Sequence, residues 1–292
     1  MSKPLQGRVA IVTGASRGFG EQIARRFAKA GANLALTARS ADKLDELCAG
    51  LKASQYAEQR VISIAGDAAR EDDIERVVRG AMEAFGRIDI LVNCAGTAGP
   101  RGALDETDWA EWRAAIELNL MGPTYFCRCV IPHMKRQGGG KIINISGGGA
   151  TKAIQNMSSY GASKSAVVRV TETLALELAA YNISVNAVAP GLLATKLAED
   201  VMEVGTAILG ERYFKEVERQ KNGELDAFEK PTALCVFLAG PESDGITGRL
   251  ISAPWDPWPT LSAYREELAA SDIYTLRRIT PEERGHSWGA GA

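Results

Sequence analysis

From Val9 onward, short apolar, β-branched runs alternate with longer stretches whose apolar residues recur at helical spacing. Val9–Thr13, Leu34–Thr37, Val61–Ile64, Ile88–Val92, Lys141–Ile145, Ile183–Val188 and Arg249–Ser252 read as strands. Between them, Glu21–Ala30, Asp42–Lys52, Glu71–Phe85, Asp108–Arg136, Ser158–Ala180 and Pro231–Leu238 read as helices, the fourth with an irregularity expected at Gly122-Pro123. A strand that returns to its sheet through a helix must do so in parallel, and near-continuous apolar strands need cover on both faces. The expected fold is therefore α/β, a doubly wound parallel sheet of about seven strands with helices on both faces. The 292 residues contain no internal repeat and no low-complexity linker, so 1–252 read as one domain. Residues 192–226 break the rhythm and read as a lid, and 253–292 as a C-terminal extension rich in Trp and Pro (Trp255, Pro257, Trp258, Pro259).

Charge and composition exclude several function classes. The formal net charge is −2 with no block of like charges, which argues against a nucleic-acid or membrane-surface partner. No stretch is long and apolar enough for a membrane span, and the N-terminus lacks a signal-peptide pattern. Five cysteines in a chain of this length make no disulfide framework and point to a reducing, cytoplasmic compartment. Cys127-Arg128-Cys129 has no Cys/His cluster beside it and reads as packing, so no metal site is expected.

The first strand runs into Thr13-Gly14-Ala15-Ser16-Arg17-Gly18-Phe19-Gly20, which opens the first helix. Glycines at such a turn let the backbone approach a pyrophosphate, whose charge the free N–H groups of the helix start stabilise. The same residues satisfy G-x-S-x-G, with Ser16 as a hydrolase nucleophile. That rival needs a histidine, and only His133, within a helix, and His286, in a Gly-rich tail, exist. A dinucleotide fold selective for NAD places an acid at the end of the second strand. Here the stretch is Thr37-Ala38-Arg39-Ser40, and Arg17 lies in the loop. Two guanidinium groups suit a 2′-phosphate, so NADP(H) is preferred and NAD(H) remains possible.

Tyr160 and Lys164 stand four apart in Tyr160-Gly161-Ala162-Ser163-Lys164 and share a helix face. An ammonium beside a phenol favours the phenolate, which makes Tyr160 a general acid/base. Ser146, after the fifth strand, offers a hydroxyl to a substrate oxygen. With Asp67, Asn93-Cys94-Ala95-Gly96, Asn119 and Pro190-Gly191 at their places in the order, the chain resembles the short-chain dehydrogenase/reductase family from Gly7 to Leu250. That resemblance implies a Rossmann-type fold and hydride transfer between NADP(H) and a carbonyl/secondary-alcohol pair. It implies Asn119, Ser146, Tyr160 and Lys164 as catalytic residues, Asn119 through a water relay from Lys164. The implied cofactor-binding set is Gly14, Ser16, Arg17, Gly18, Phe19, Gly20, Arg39, Asp67, Ala68, Asn93, Ala95, Gly96, Tyr160, Lys164, Pro190, Gly191 and Thr195. Asn93 reads equally as a structural cap, and Cys94 stands where an asparagine often follows.

Substrate specificity is expected from Gly147–Ser159 and Leu192–Asp226, where Leu197, Val201, Val204, Ile208 and Leu209 form either a pocket wall or lid packing. Gly147-Gly148-Gly149 reads as a close approach to substrate or as a surface turn. The C-terminal extension is expected to cover a neighbouring subunit's site or to extend the interface of a homodimer or homotetramer. A different class, a non-catalytic NADP(H) sensor or scaffold, stays open.

Overall fold

The computed structural model describes residues 3–53, 59–202, 205, 211–223 and 226–288. Seven strands form one sheet in the order β3-β2-β1-β4-β5-β6-β7, all parallel. They are β1 (Val9–Thr13), β2 (Asn33–Thr37), β3 (Val61–Ser63), β4 (Ile90–Asn93), β5 (Gly140–Ile145), β6 (Ile183–Ala189) and β7 (Leu250–Ser252). The chain winds outward from β1 to β3, then reverses to β4 on the other side of β1. That switch opens a crevice at the carboxyl ends of β1 and β4, where doubly wound sheets take their ligands.

Alternation along each strand divides the core into two layers. Ala10 and Val12 face Ile23 and Phe27 of α1 (Gly18–Lys29), Leu44 and Leu47 of α2 (Ala41–Ala53), and Leu234 and Leu238 of α9 (Glu229–Ala239). Ile11, between them, faces Ile74 and Val77 of α3 (Glu71–Phe85), Phe126 and Val130 of α5 (Gly122–Gln137), and Ala175 and Leu178 of α6 (Ser158–Leu178). All five residues of β1 are buried, as a central parallel strand requires.

Most elements differ from the expected boundaries by one to three residues, as α1 does by starting at Gly18 rather than Glu21, and two departures have a specific physical reason. β4 begins at Ile90 rather than Ile88, because the buried Asp89 carboxylate itself accepts the Val9 N–H at 2.9 Å, held by Arg87 and Arg8. The expected helix 108–136 is α4 (Trp109–Ile116), a π-helical turn (Glu117–Met121) and α5. The irregularity thus precedes Gly122-Pro123: the Gly122 N–H reaches back five residues to the Glu117 carbonyl, and Pro123 has no N–H to give. Gly122 is needed there because any Cβ would collide with the Ala68 carbonyl. Among the described residues the remaining α-helices are α7 (Lys196–Met202), α8 (Glu211–Lys221) and α10 (Arg265–Ala269).

Much of the C-terminal extension lies on its own body. Leu261 and Leu268 are buried in the first core layer, and the Trp258 ring lies 5.9 Å from that of Phe237. Arg249, 7% exposed, donates to the carbonyls of Ser271 at 2.9 Å, Ile273 at 2.8 Å and Leu268. Leu250 N–H donates to the Tyr274 carbonyl at 2.8 Å, and Leu276 N–H to Glu172 Oε1 at 2.6 Å. Arg249→Met removes the clamp and is expected to cost about 3 kcal/mol, lowering Tm by roughly 5 °C in calorimetry.

Candidate active site

The loop after β1 is shaped by steric necessity. Gly14 and Gly18 sit at φ +66 and +59, where side chains are disfavoured. A Cβ on Gly14 would meet the Ala95 backbone at 2.9 Å, and one on Gly20 would collide with the Gly14 carbonyl. Thr13 Oγ1 accepts the N–H groups of Cys94 at 2.9 Å and Ala95 at 3.0 Å, tying the β1 end to the β4 end. The α1 N-terminus has no side-chain cap, so its leading N–H groups point into the crevice unclaimed by a capping oxygen. This glycine cradle fits a dinucleotide pyrophosphate.

The crevice widens into a cavity of about 1200 Å³. Of the residues singled out in the sequence, Gly14, Ser16, Arg17, Gly18, Phe19, Gly20, Arg39, Asp67, Ala68, Ala95, Gly96, Ser146, Tyr160, Lys164, Pro190, Gly191 and Thr195 line it; Asn93 and Asn119 do not. Arg17 and Arg39 are exposed and have no hydrogen-bond or ion-pair partner among the described residues. Asp67 accepts the Ala69 N–H at 3.0 Å.

At the other end, α6 presents Tyr160 and Lys164. Lys164 Nζ lies 5.9 Å from the Tyr160 ring centroid and donates to the Ile145 carbonyl at 2.8 Å. Burial pushes the Lys164 ammonium down to about 8, with the neighbouring Cys94 acting weakly the other way. Burial likewise pushes the Tyr160 phenol up to about 12. The protein alone therefore holds Tyr160 as the neutral acid and poises Lys164 to lose its charge near neutrality. Ser146 is buried, its Oγ donating to the Lys164 carbonyl at 3.4 Å.

Tyr160 is positioned by absence of bulk. A Cβ on Gly147 would strike its hydroxyl, and one on Gly149 would come within 3.0 Å of its ring. Neither open reading of the Gly147–Gly149 run anticipated this; the run gives the ring its room. Gly147→Ala is expected to lower kcat by about 100-fold, the cost of displacing a reacting group by an ångström, with Tm nearly unchanged. Steady-state rates and a thermal melt on the same preparation check this.

Asn119 lies in the π-helical turn and is 1% exposed. Its Oδ1 accepts the Thr97 N–H at 2.9 Å, and its Nδ2 donates to the Thr97 carbonyl at 2.9 Å and to Ser163 Oγ at 3.1 Å. Ser163 Oγ in turn donates to the Tyr160 carbonyl at 3.0 Å, so Asn119 locks α6 to the loop after β4. Asn93 stands behind the wall: its Nδ2 donates to Asn144 Oδ1 at 2.8 Å, and Asn144 Nδ2 to Thr171 Oγ1 at 2.9 Å. Thr13 and Ser163 belong to the motifs that the sequence showed, but their contacts span separate elements and leave no spacing signal.

Comparison with known proteins agrees with this geometry. A family model described as short chain dehydrogenase matches residues 8–204. The chain belongs to the short-chain dehydrogenase family. It is 36% identical over 249 residues to the short-chain reductase protein NovJ of Streptomyces niveus, covering 84% of this chain and 92% of that one. It is 35% identical over 246 residues to the 2-(R)-hydroxypropyl-CoM dehydrogenase of Xanthobacter autotrophicus, covering 82% and 94%. Among solved structures, an NAD+-bound xylitol dehydrogenase superposes with a TM-score of 0.75 at 30% identity, covering 85% and 98%. As a member of this family, the protein is a dehydrogenase/reductase enzyme that uses a nicotinamide dinucleotide.

The hydrolase alternative has no partner for Ser16 in this short-chain dehydrogenase. His133 contacts Arg136 at 3.0 Å, His286 stacks on Trp288 with centroids 5.1 Å apart, and neither lines the cavity. Of the apolar residues singled out between 192 and 226, Leu197 and Val201 of α7 pack beside Tyr160, whereas Val204, Ile208 and Leu209 lie outside the described residues.

Proposed function

We propose that this enzyme is an NADP(H)-dependent oxidoreductase that interconverts a carbonyl and a secondary alcohol, with Tyr160 as general acid/base. The observation that carries the reading is the cavity itself, which runs from the glycine cradle and two unpaired arginines to a half-buried phenol and a buried ammonium and hydroxyl. Bound NADP(H) supplies or accepts the hydride. Gly14, Gly18, Gly20 and the N–H groups of α1 hold its pyrophosphate, Arg17 and Arg39 its 2′-phosphate, and Asp67 and Ala68 its adenine side. Asn93, Ala95 and Gly96 support the adenosine ribose, Asn93 only from behind the wall. Pro190, Gly191 and Thr195 line the nicotinamide side.

In the reductive direction the Tyr160 hydroxyl donates its proton to the carbonyl oxygen as negative charge develops there. Ser146 Oγ–H shares that charge. Lys164, as ammonium, lowers the cost of the phenolate that remains. Asn119 keeps Lys164 and Tyr160 in register through Thr97 and Ser163, and we place it in the proton relay to solvent. The oxidative direction runs the same proton path backwards.

The five cysteines are free, which suits the reducing cytoplasm proposed as its location. A homodimer or homotetramer is proposed on the exposed apolar side chains Trp109, Met121 and Leu176, and light scattering measures it. The functional test is an NADPH-oxidation screen over ketones, aldehydes, quinones and keto-sugars. Turnover of at least one carbonyl is expected. Tight NADPH binding with no turnover of any would favour the sensor.

A further inference from the structure

The part of the cavity beyond Tyr160 has a composition that hydride transfer alone does not explain. Ala98, Met157 and Val201 are buried together there, and Ile154, Leu197 and the Tyr160 ring pack against them. Of these, Ile154, Met157, Leu197 and Val201 line the cavity with the Tyr160 ring and give it an apolar wall there. Its loop is held in one shape, since Asn156 sits at φ 64 and its carbonyl accepts the Gly102 N–H at 3.1 Å. Among the cavity's lining residues, the segments that carry Ile154, Leu197 and Val201 also contribute three charged ones. Lys196 and Asp200, one turn apart on α7, pair at 2.8 Å and offset each other. Lys152 lines the cavity, is exposed, and has no hydrogen-bond or ion-pair partner for its side chain among the described residues.

With the Asp200 carboxylate already paired to Lys196, the Lys152 cation leaves a charge for the ligand to match. We infer that the substrate is an amphipathic carbonyl or secondary alcohol, whose apolar body lies against Ile154, Met157, Leu197 and Val201 and whose carboxylate pairs with Lys152. Lys152 is thus a specificity-determining residue, and this inference rests on the hydride-transfer reading above.

The probes are methyl ketones bearing a carboxylate at increasing distance (levulinate, 6-oxoheptanoate and 4-acetylbenzoate), each against its neutral methyl ester, with NADPH. The wild type is expected to show KM at least fivefold lower for one acid than for its ester, at similar kcat. In Lys152→Met that ratio falls to about one, in Lys152→Glu it inverts, and in Lys152→Arg it is retained. Wild-type KM values for every ester equal to those for its acid, or an acid preference that survives Lys152→Met, overturn the inference and leave the redox reading standing. No turnover of any acid or ester, with turnover of another carbonyl in the wider screen, overturns the inference alone; no turnover in either set overturns both.

Discussion

Tyr160→Phe is expected to lower kcat by about a thousandfold, the middle of the range for a positioned general acid/base, while NADPH affinity stays within about twofold. The substitution removes one oxygen and keeps the ring that Gly147 and Gly149 accommodate, so the packing around α6 survives. Fluorescence titration of NADPH together with stopped-flow oxidation separates the two effects. The pH dependence should follow the same proton. Burial holds the phenol protonated, up to about 12 in the protein alone, so carbonyl reduction is sustained to high pH. Alcohol oxidation needs the phenolate and should accelerate as pH rises. Unchanged turnover in Tyr160→Phe would remove the phenol from the reaction.

The second large effect is on cofactor choice. Replacing both Arg17 and Arg39 by alanine is expected to weaken NADPH by about 3 kcal/mol or more, since each charge-assisted hydrogen bond contributes roughly 1.5–3 kcal/mol. That is a factor of about 100 in Kd. NADH, with a hydroxyl in place of the phosphate, should lose far less, so the double variant should come close to indifference between the two. The end of β2 carries no carboxylate before Asp42 to grip a 2′-hydroxyl instead. Calorimetric titration with both dinucleotides decides it. Equal small losses would mean that the arginines act only as general surface charge, and the NAD+-bound structural relative would then be the better guide.

How much of this was legible in the sequence depended on the range of the interactions. β1, the turn from Thr13 to Gly20 and the Tyr160/Lys164 pair are local patterns, with periods of two or of three to four residues, and the structure places them together at one crevice. α3 has the expected ends because Gly86 closes it in the left-handed conformation. Other features arise from residues far apart in the chain. The π-helical turn at Glu117–Met121 forms where Gly122 meets Ala68, a contact without sequence signature. Asp89 replaces a ladder bond with a side-chain one, which shifts the start of β4. The extension beyond Ser252 could not be placed by periodicity, because carbonyl groups of Leu268, Ser271 and Ile273 hold it to the Arg249 side chain. The expectation that it reaches a neighbouring subunit stands as a proposal only for its exposed end, where Trp288 is 72% exposed.

The most direct test of the central claim is a crystal structure of the protein with NADP+. The account predicts pyrophosphate oxygens on the N–H groups between Gly14 and Gly20, the 2′-phosphate between Arg17 and Arg39, and the nicotinamide ring facing the Tyr160 hydroxyl with Lys164 at its ribose. A dinucleotide seated outside this crevice, or one whose nicotinamide ring lies away from Tyr160, Lys164 and Ser146, would contradict it.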